Sequence, residues 1–294
     1  MCRVKRIIFL CLTFAPLFSA MAQTPVIQSN RSVASKIAPA YFGPNAFPVP
    51  EMTDGRPHSS LYSEIAADYF RGSLGDGNDK TWDTFARISV PLWSSRASLE
   101  LWMPIVEWWY FSPAVATERR IAPKQYKGHD SGDVYVCTSL YLVEGCDNAW
   151  KPDILVRSVL KTASGNSYGY ARYYDSPGYF FDVTAGEGFI FNSFVKELRI
   201  ALCGGFLCWQ TDNGRQNDAV QAGFLTSMDT RLFRITAELG SYSGWENDGD
   251  RPVRGRIRLD LHLWKTPVYP FVQSCIGLKD YPFTSLRAGI AFSR

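Results

Sequence analysis

The stretch Val253-Arg254-Gly255-Arg256-Ile257-Arg258-Leu259-Asp260-Leu261-His262-Leu263 decides the fold. Its odd positions are apolar or glycine, and its even positions are ionisable, five in succession. Successive side chains of a strand point to opposite faces, so this one has a greasy face and a densely charged face. Strands of soluble sandwiches rarely carry five such groups in a row on their polar side. The pattern fits a sheet with lipid outside and a polar lumen inside.

Working outward, the same period recurs along most of the chain. Ser60–Arg71 sets Leu61, Ile65, Ala67 and Tyr69 against Glu64 and Asp68, and Thr81–Leu92 sets Trp82, Ala86, Ile88 and Val90 against Asp83, Arg87 and Ser89. After the turn at Trp93–Arg96, Leu99, Leu101, Met103 and Ile105 oppose Ser98, Glu100 and Trp102. Further runs are Gly132–Glu144, Asp153–Ala163, Tyr168–Thr184, Ser193–Gln210 with a bulge expected at Gly204-Gly205, Ala219–Met228, Arg231–Ser243, Pro252–Trp264, Val268–Leu278 and Phe283–Ser293. The expectation is an all-β chain forming an antiparallel transmembrane β-barrel of about twelve strands, ten or fourteen being the neighbouring counts. A soluble secreted β-sandwich is the alternative fold.

The connections sort by length. Trp93–Arg96, Met228–Thr230 and Lys265–Pro267 are short, whereas Gly72–Lys80, Ser112–Ser131, Thr211–Asp218 and Gly244–Arg251 are longer. Short turns on the periplasmic side and longer loops outside are the expected asymmetry of such barrels. Aromatics sort too, with Tyr69, Trp82, Trp109 and Tyr110 toward the loop ends and Trp93, Trp264, Tyr269 and Phe292 toward the turn ends. Two interfacial girdles would give that distribution.

The first residues read as an export signal. Arg3, Lys5 and Arg6 precede the apolar run Ile7–Phe18, and Ala20-Met21-Ala22 supplies small residues for cleavage. The expected organisation is a cleaved signal peptide over 1–22, a Pro-rich arm or plug over 23–59, and the barrel over 60–294. Taking those three basic residues from the 31 Lys+Arg leaves 28, equal to the 28 Asp+Glu. A neutral chain has no basic stripe for nucleic acid. Five cysteines follow residue 22, an odd number that excludes a complete set of internal disulfides, although Cys137 could bridge to Cys146. The arm carries Pro25, Pro39, Pro44, Pro48, Pro50 and Pro57, yet Tyr41, Phe42, Phe47, Val49 and Met52 make it too greasy for a free linker.

The final alternation of Leu286, Ala288, Ile290 and Phe292 with Arg287, Gly289 and Ala291 resembles the closing β-signal of bacterial outer-membrane proteins. Phe292 is followed here by Ser293 and Arg294, a departure from the terminal-Phe form. The phrases Tyr41-Phe42-Gly43-Pro44-Asn45-Ala46 and Asp175-Ser176-Pro177-Gly178-Tyr179-Phe180 are similar to ones in an uncharacterised Bacteroidota-type group of outer-membrane β-barrels. The resemblance covers most of the chain after residue 22 and implies a Gram-negative outer-membrane location. It implies no activity.

Strand phase sends Glu64, Asp68, Asp83, Arg87, Glu100, Arg157, Lys161, Glu197, Arg199, Arg234, Glu238, Arg254, Arg256, Arg258, Asp260, His262 and Arg287 into the lumen. Two readings follow. These charges tune a selective or gated pore for small solutes, anionic ones if the Arg254-Arg256-Arg258 ladder dominates. Alternatively they pair across strands and close a structural or surface-interaction barrel. A hydrolase is the third reading, with His262 beside Asp260 as its best histidine. His129-Asp130-Ser131 spells triad letters, but adjacent residues do not converge as a triad must. The expected partners are outer-membrane lipid and small solutes, with no cofactor. No metal is expected, because three scattered histidines, the Cys203–Cys208 spacing and the acidic loops at Asp76–Asp79 and Glu246–Asp250 all fall short of a ligand set.

Overall fold

A computed structural model describes residues 42–92, 95–119, 123, 125–145, 151–165, 177–210, 216–245, 249–262 and 266–294. The strands are β1 (Tyr62–Gly72), β2 (Asp79–Leu92), β3 (Ala97–Phe111), β4 (Lys127–Asp130), β5 (Tyr135–Val143), β6 (Asp153–Lys161), β7 (Gly178–Ile190), β8 (Val195–Gln210), β9 (Gln216–Thr230), β10 (Phe233–Ser243), β11 (Val253–Leu261), β12 (Val268–Lys279) and β13 (Phe283–Ser293). Each pairs antiparallel with its neighbours, and β1 pairs with both β2 and β13, which closes the sheet. β4 pairs only with β3, above the point where β5 leaves it, so β4 and β5 share one wall position. The result is a closed antiparallel barrel of twelve wall strands.

Alternation sorts the side chains as the sequence demands. In β1, Tyr62, Glu64, Ala66, Asp68 and Phe70 are buried inside while Ile65 and Ala67 are exposed outside. Ile88, Leu101, Leu202, Val220, Ile257 and Leu286 are likewise exposed on the outer face. Such a girdle of bare aliphatic residues is suited to lipid.

Three expectations need correction. Gly204-Gly205 forms no bulge, since β7–β8 and β8–β9 pairing runs through it without a shift. Cys203 therefore faces the lumen and Cys208 the other side. A bulge falls instead opposite Thr84/Phe85, where Ile105 is skipped in the β2–β3 ladder. It reverses the phase of β3, so Glu107, Trp109 and Phe111 are buried inside while Trp108 and Tyr110 are exposed. Trp108, not Trp109, is the outward aromatic. The segment Ser112–Ser131 also holds more than loop: Ser112 caps the short helix α1 (Pro113–Glu118) by accepting from the Val115 N–H, and β4 follows.

Cys137, Cys203, Cys208 and Cys275 are buried and not disulfide-bonded, so the bridge considered for Cys137 is not formed. Cys146, the signal segment 1–22, arm residues 23–41, most of the Asp175–Phe180 phrase's first half, Trp93, Trp264 and Glu246–Asp248 lie outside the described residues.

Candidate functional site: the charged lumen and its internal segment

Residues 42–60 run down the inside of the barrel, from the loop end to the turn end, where the chain enters β1. At the loop end the contact is apolar. Phe42 and Phe47 pack edge-on at 4.9 Å and join Val49, Tyr135, Phe180, Trp209 and Tyr242 in one cluster. The Tyr281 hydroxyl donates to the Pro44 carbonyl at 3.1 Å. Three prolines at 44, 48 and 50 remove N–H donors that an extended segment inside a barrel would otherwise have to satisfy.

Below Pro50 the contact becomes ionic. The Glu51 carboxylate meets Arg87 of β2 at 2.7 Å, Arg256 of β11 at 2.9 Å and Arg287 of β13 at 3.8 Å. Its carbonyl accepts from Arg157 of β6 at 2.8 Å. The Met52 N–H donates to Glu238, Asp54 pairs with Arg234 at 2.9 Å, and Arg56 reaches Asp153 and Glu197 at 3.0 and 2.8 Å. Asn45 donates to both Asp83 (2.5 Å) and Glu107 (3.0 Å). Seven strands around the wall are thus tied to one central segment. Close approach is needed for this: a Cβ on Gly186 would lie 2.3 Å from the Asp54 carbonyl oxygen, and one on Gly223 would lie 2.0 Å from the Met52 sulfur.

The wall charges are also paired with one another. Arg254 and Arg256 share Glu238, while Arg258 holds Glu64 and Asp260, both at 2.9 Å. Arg287 grips Asp68 at 2.6 Å, Arg87 reaches Glu64 and Glu100, Arg157 pairs with Asp182, Lys161 with Asp133, and Arg199 with Asp153. Arg258 also lies over the Phe271 ring at 3.8 Å, and Arg287 over Phe85 at 3.9 Å, contacts that favour a poorly hydrated cation. His262 lies 3.9 Å from Asp229 at the turn end, and His58 lies 3.8 Å from Glu100. Of the acidic loop residues, Asp76 accepts from Ser112 and Asn78, and Asp79 pairs with Arg119.

Of the residues assigned to the lumen by strand phase, Glu64, Asp68, Asp83, Arg157, Lys161, Arg199, Glu238, Arg254, Arg256, Asp260 and Arg287 are buried, and Arg87, Glu100, Glu197, Arg234, Arg258 and His262 are half-buried. The residues that periodicity missed are their partners. Glu51, Asp54 and Arg56 sit on a non-periodic segment that gives no facing signal. Glu107 is inward only because of the bulge at Ile105. Asp153 and Asp182 were readable, since Asp153 shares a face with Arg157 and Lys161 in β6, and Asp182 alternates with exposed Phe181 and Val183. A cavity of about 530 Å³ remains beside the segment, walled by Arg87, Arg157, Arg254, Arg258, Glu100 and Asp260 among others.

No protein family matches the chain, and no curated protein matches it. Solved structures do. An outer-membrane channel from Pseudomonas putida F1 is similar with a TM-score of 0.55 and 12% identity, covering 83% of this chain and 100% of that one. The NanC porin is similar with a TM-score of 0.51 and 12% identity, covering 78% and 98%. At such identities the likeness shows the fold. It is that of outer-membrane β-barrels.

Proposed function

We propose that this protein is an outer-membrane barrel offering a gated passage to small solutes, with residues 42–58 as the internal gate. The observation that carries the reading is the two-part anchoring of that segment. Its loop-end half is held by aromatic packing, and its turn-end half by ion pairs to the lumen wall. Aromatic packing is indifferent to ions, whereas salt bridges weaken when a charged solute or salt competes for them. A segment held in this way can release one half while staying tethered by the other. The 530 Å³ cavity beside it gives a small solute room to enter and reach those pairs.

Anionic solutes fit best, because Arg87, Arg256 and Arg287 each lose one carboxylate partner once Glu51 moves away, which leaves their cluster short of negative charge. A closed structural barrel is the second reading, favoured by how completely the wall charges are paired. We favour a passage over an enzyme because His58 and His262 both face carboxylates at the turn end, far from the leaflet where a lipid hydrolase would meet its substrate. The cleaved leader and the arm of 23–59 as a unit are part of this proposal, as is the Bacteroidota origin, which rests on the two short phrases quoted above.

Planar-bilayer recording of the full chain and of a variant lacking residues 42–57 tests the reading. The full chain is expected to conduct in brief steps and the deletion to conduct continuously at higher level. Silence from both, in folded protein, would leave the closed barrel.

A further inference from the structure

On the outer face, β1 to β4 bring two cross-strand rows together at the loop end. The upper row is Arg71, Lys80, Tyr110 and Lys127, each directly opposite the next in the ladder. The lower row, one pleat nearer the apolar girdle, is Tyr69, Trp82, Trp108 and His129. Trp82, Trp108 and Tyr110 are 55%, 48% and 43% exposed, and the Tyr69 and Trp82 rings lie 4.5 Å apart. Arg71, Lys80 and Lys127 are exposed and none has a carboxylate partner among the described residues. A shallow groove follows the two rows across β2, β3 and β4.

From this juxtaposition we infer a binding site for a phosphorylated glycolipid of the outer leaflet, a sugar head bearing phosphate groups above acyl chains. The inference rests on the membrane placement proposed above. Interfacial aromatics settle at the level where acyl chains end and head groups begin. Cations one pleat further out then stand at head-group height. The upper row spans three strand spacings, on the order of 14 Å, with cations at both ends and a tyrosine between them. That arrangement suits a disaccharide carrying a phosphate at each end, its sugar faces stacked over aromatic rings. The site is local. Corresponding outward positions elsewhere on that rim hold Leu160, Tyr179, Asp218, Ser243 and Thr284. The sector exists only because β4 extends the ladder beside β3, which lets Lys127 complete the row.

The test is a thermal-shift and native mass-spectrometry titration of the full chain in detergent. The probes are bisphosphorylated lipid A, its dephosphorylated form, phosphatidylglycerol and inorganic phosphate. Lipid A is expected to be retained and to raise the melting temperature, with the other three well behind. The double variant K80Q/K127Q is expected to lose roughly tenfold or more in lipid A affinity, since each such cation near a membrane surface contributes about 1 kcal/mol. The pair K196Q/R231Q, at the opposite rim, is expected to bind as the parent does. Equal binding of dephosphorylated lipid, or undiminished binding by folded K80Q/K127Q, overturns the site. Phosphatidylglycerol binding as well as lipid A would do so too, by reducing the rows to a general anionic-lipid belt. Conductance is unaffected by these variants, so a failed gate and a failed lipid site are read separately.

Discussion

The carboxylate of Glu51, on the segment inside the barrel, lies 2.7 Å from the guanidinium of Arg87 on β2. The same carboxylate reaches Arg256 on β11 and Arg287 on β13, across the β1–β13 closure from β2. One acidic group therefore bridges three wall cations, each of which also holds a carboxylate of the wall. Removing it is expected to free the segment and leave those cations facing the lumen. Glu51→Gln should increase conductance and shift the reversal potential in a KCl gradient toward anion preference. An unchanged potential with unchanged current would place the gate elsewhere.

The pH response of that contact follows from its charges. Burial alone would raise the Glu51 carboxyl, but Arg256, Arg87 and Arg287 together hold it well below the usual carboxylate range. A lowered folded value contributes stability above the unfolded value, and that contribution is lost as pH falls through the folded one. The segment should therefore stay docked through neutral and mildly acidic pH and loosen only in stronger acid. Hydrogen–deuterium exchange at residues 42–58, corrected for the intrinsic exchange rate at each pH, reports the transition. Loosening already at pH 6 would contradict the assignment.

Close approach supplies a steric test that leaves every charge in place. Gly186→Val puts branched carbons where the Asp54 carbonyl now sits, since the first carbon alone would come within 2.3 Å of it. Gly223→Val does the same to the Met52 side chain. Both variants should fold as barrels, migrate as heat-modifiable bands and conduct more than the parent. Parental current from either would mean that the segment yields without leaving.

How much of this was legible beforehand depends on whether a residue's direction is encoded by period. Arg254, Arg256 and Arg258 lie on a strand with a two-residue repeat, so their inward direction could be read from one line of sequence. All twelve wall strands were readable for the same reason. Glu107 was not, because skipping Ile105 costs the ladder one residue and leaves no mark in composition. β4 was hidden because four residues are too few to establish alternation. Glu51 lies among prolines, where the chain has no repeat. Its role emerges only when strands far apart in sequence surround it.

Arg258 tests the energetic side of the wall. It holds Glu64 and Asp260 and covers the Phe271 ring. Arg258→Met leaves buried carboxylates without one of their partners, and breaking such a pair typically costs about 3–5 kcal/mol. Urea unfolding in detergent micelles should show a loss of that order. Adding Glu64→Gln should recover part of it, because the second change removes the charge left behind. A double variant as weak as the sum of both single changes would argue against coupling.

The internal segment leaves the lumen at the foot of β1, the strand that seals the barrel against β13. Its Glu51 also reaches β13 through Arg287. Tension along the segment is therefore delivered to the one seam in the wall joining strands from opposite ends of the chain. Pulling on the gate and prying at the seam are the same mechanical act, which makes the seam the natural fuse of the molecule.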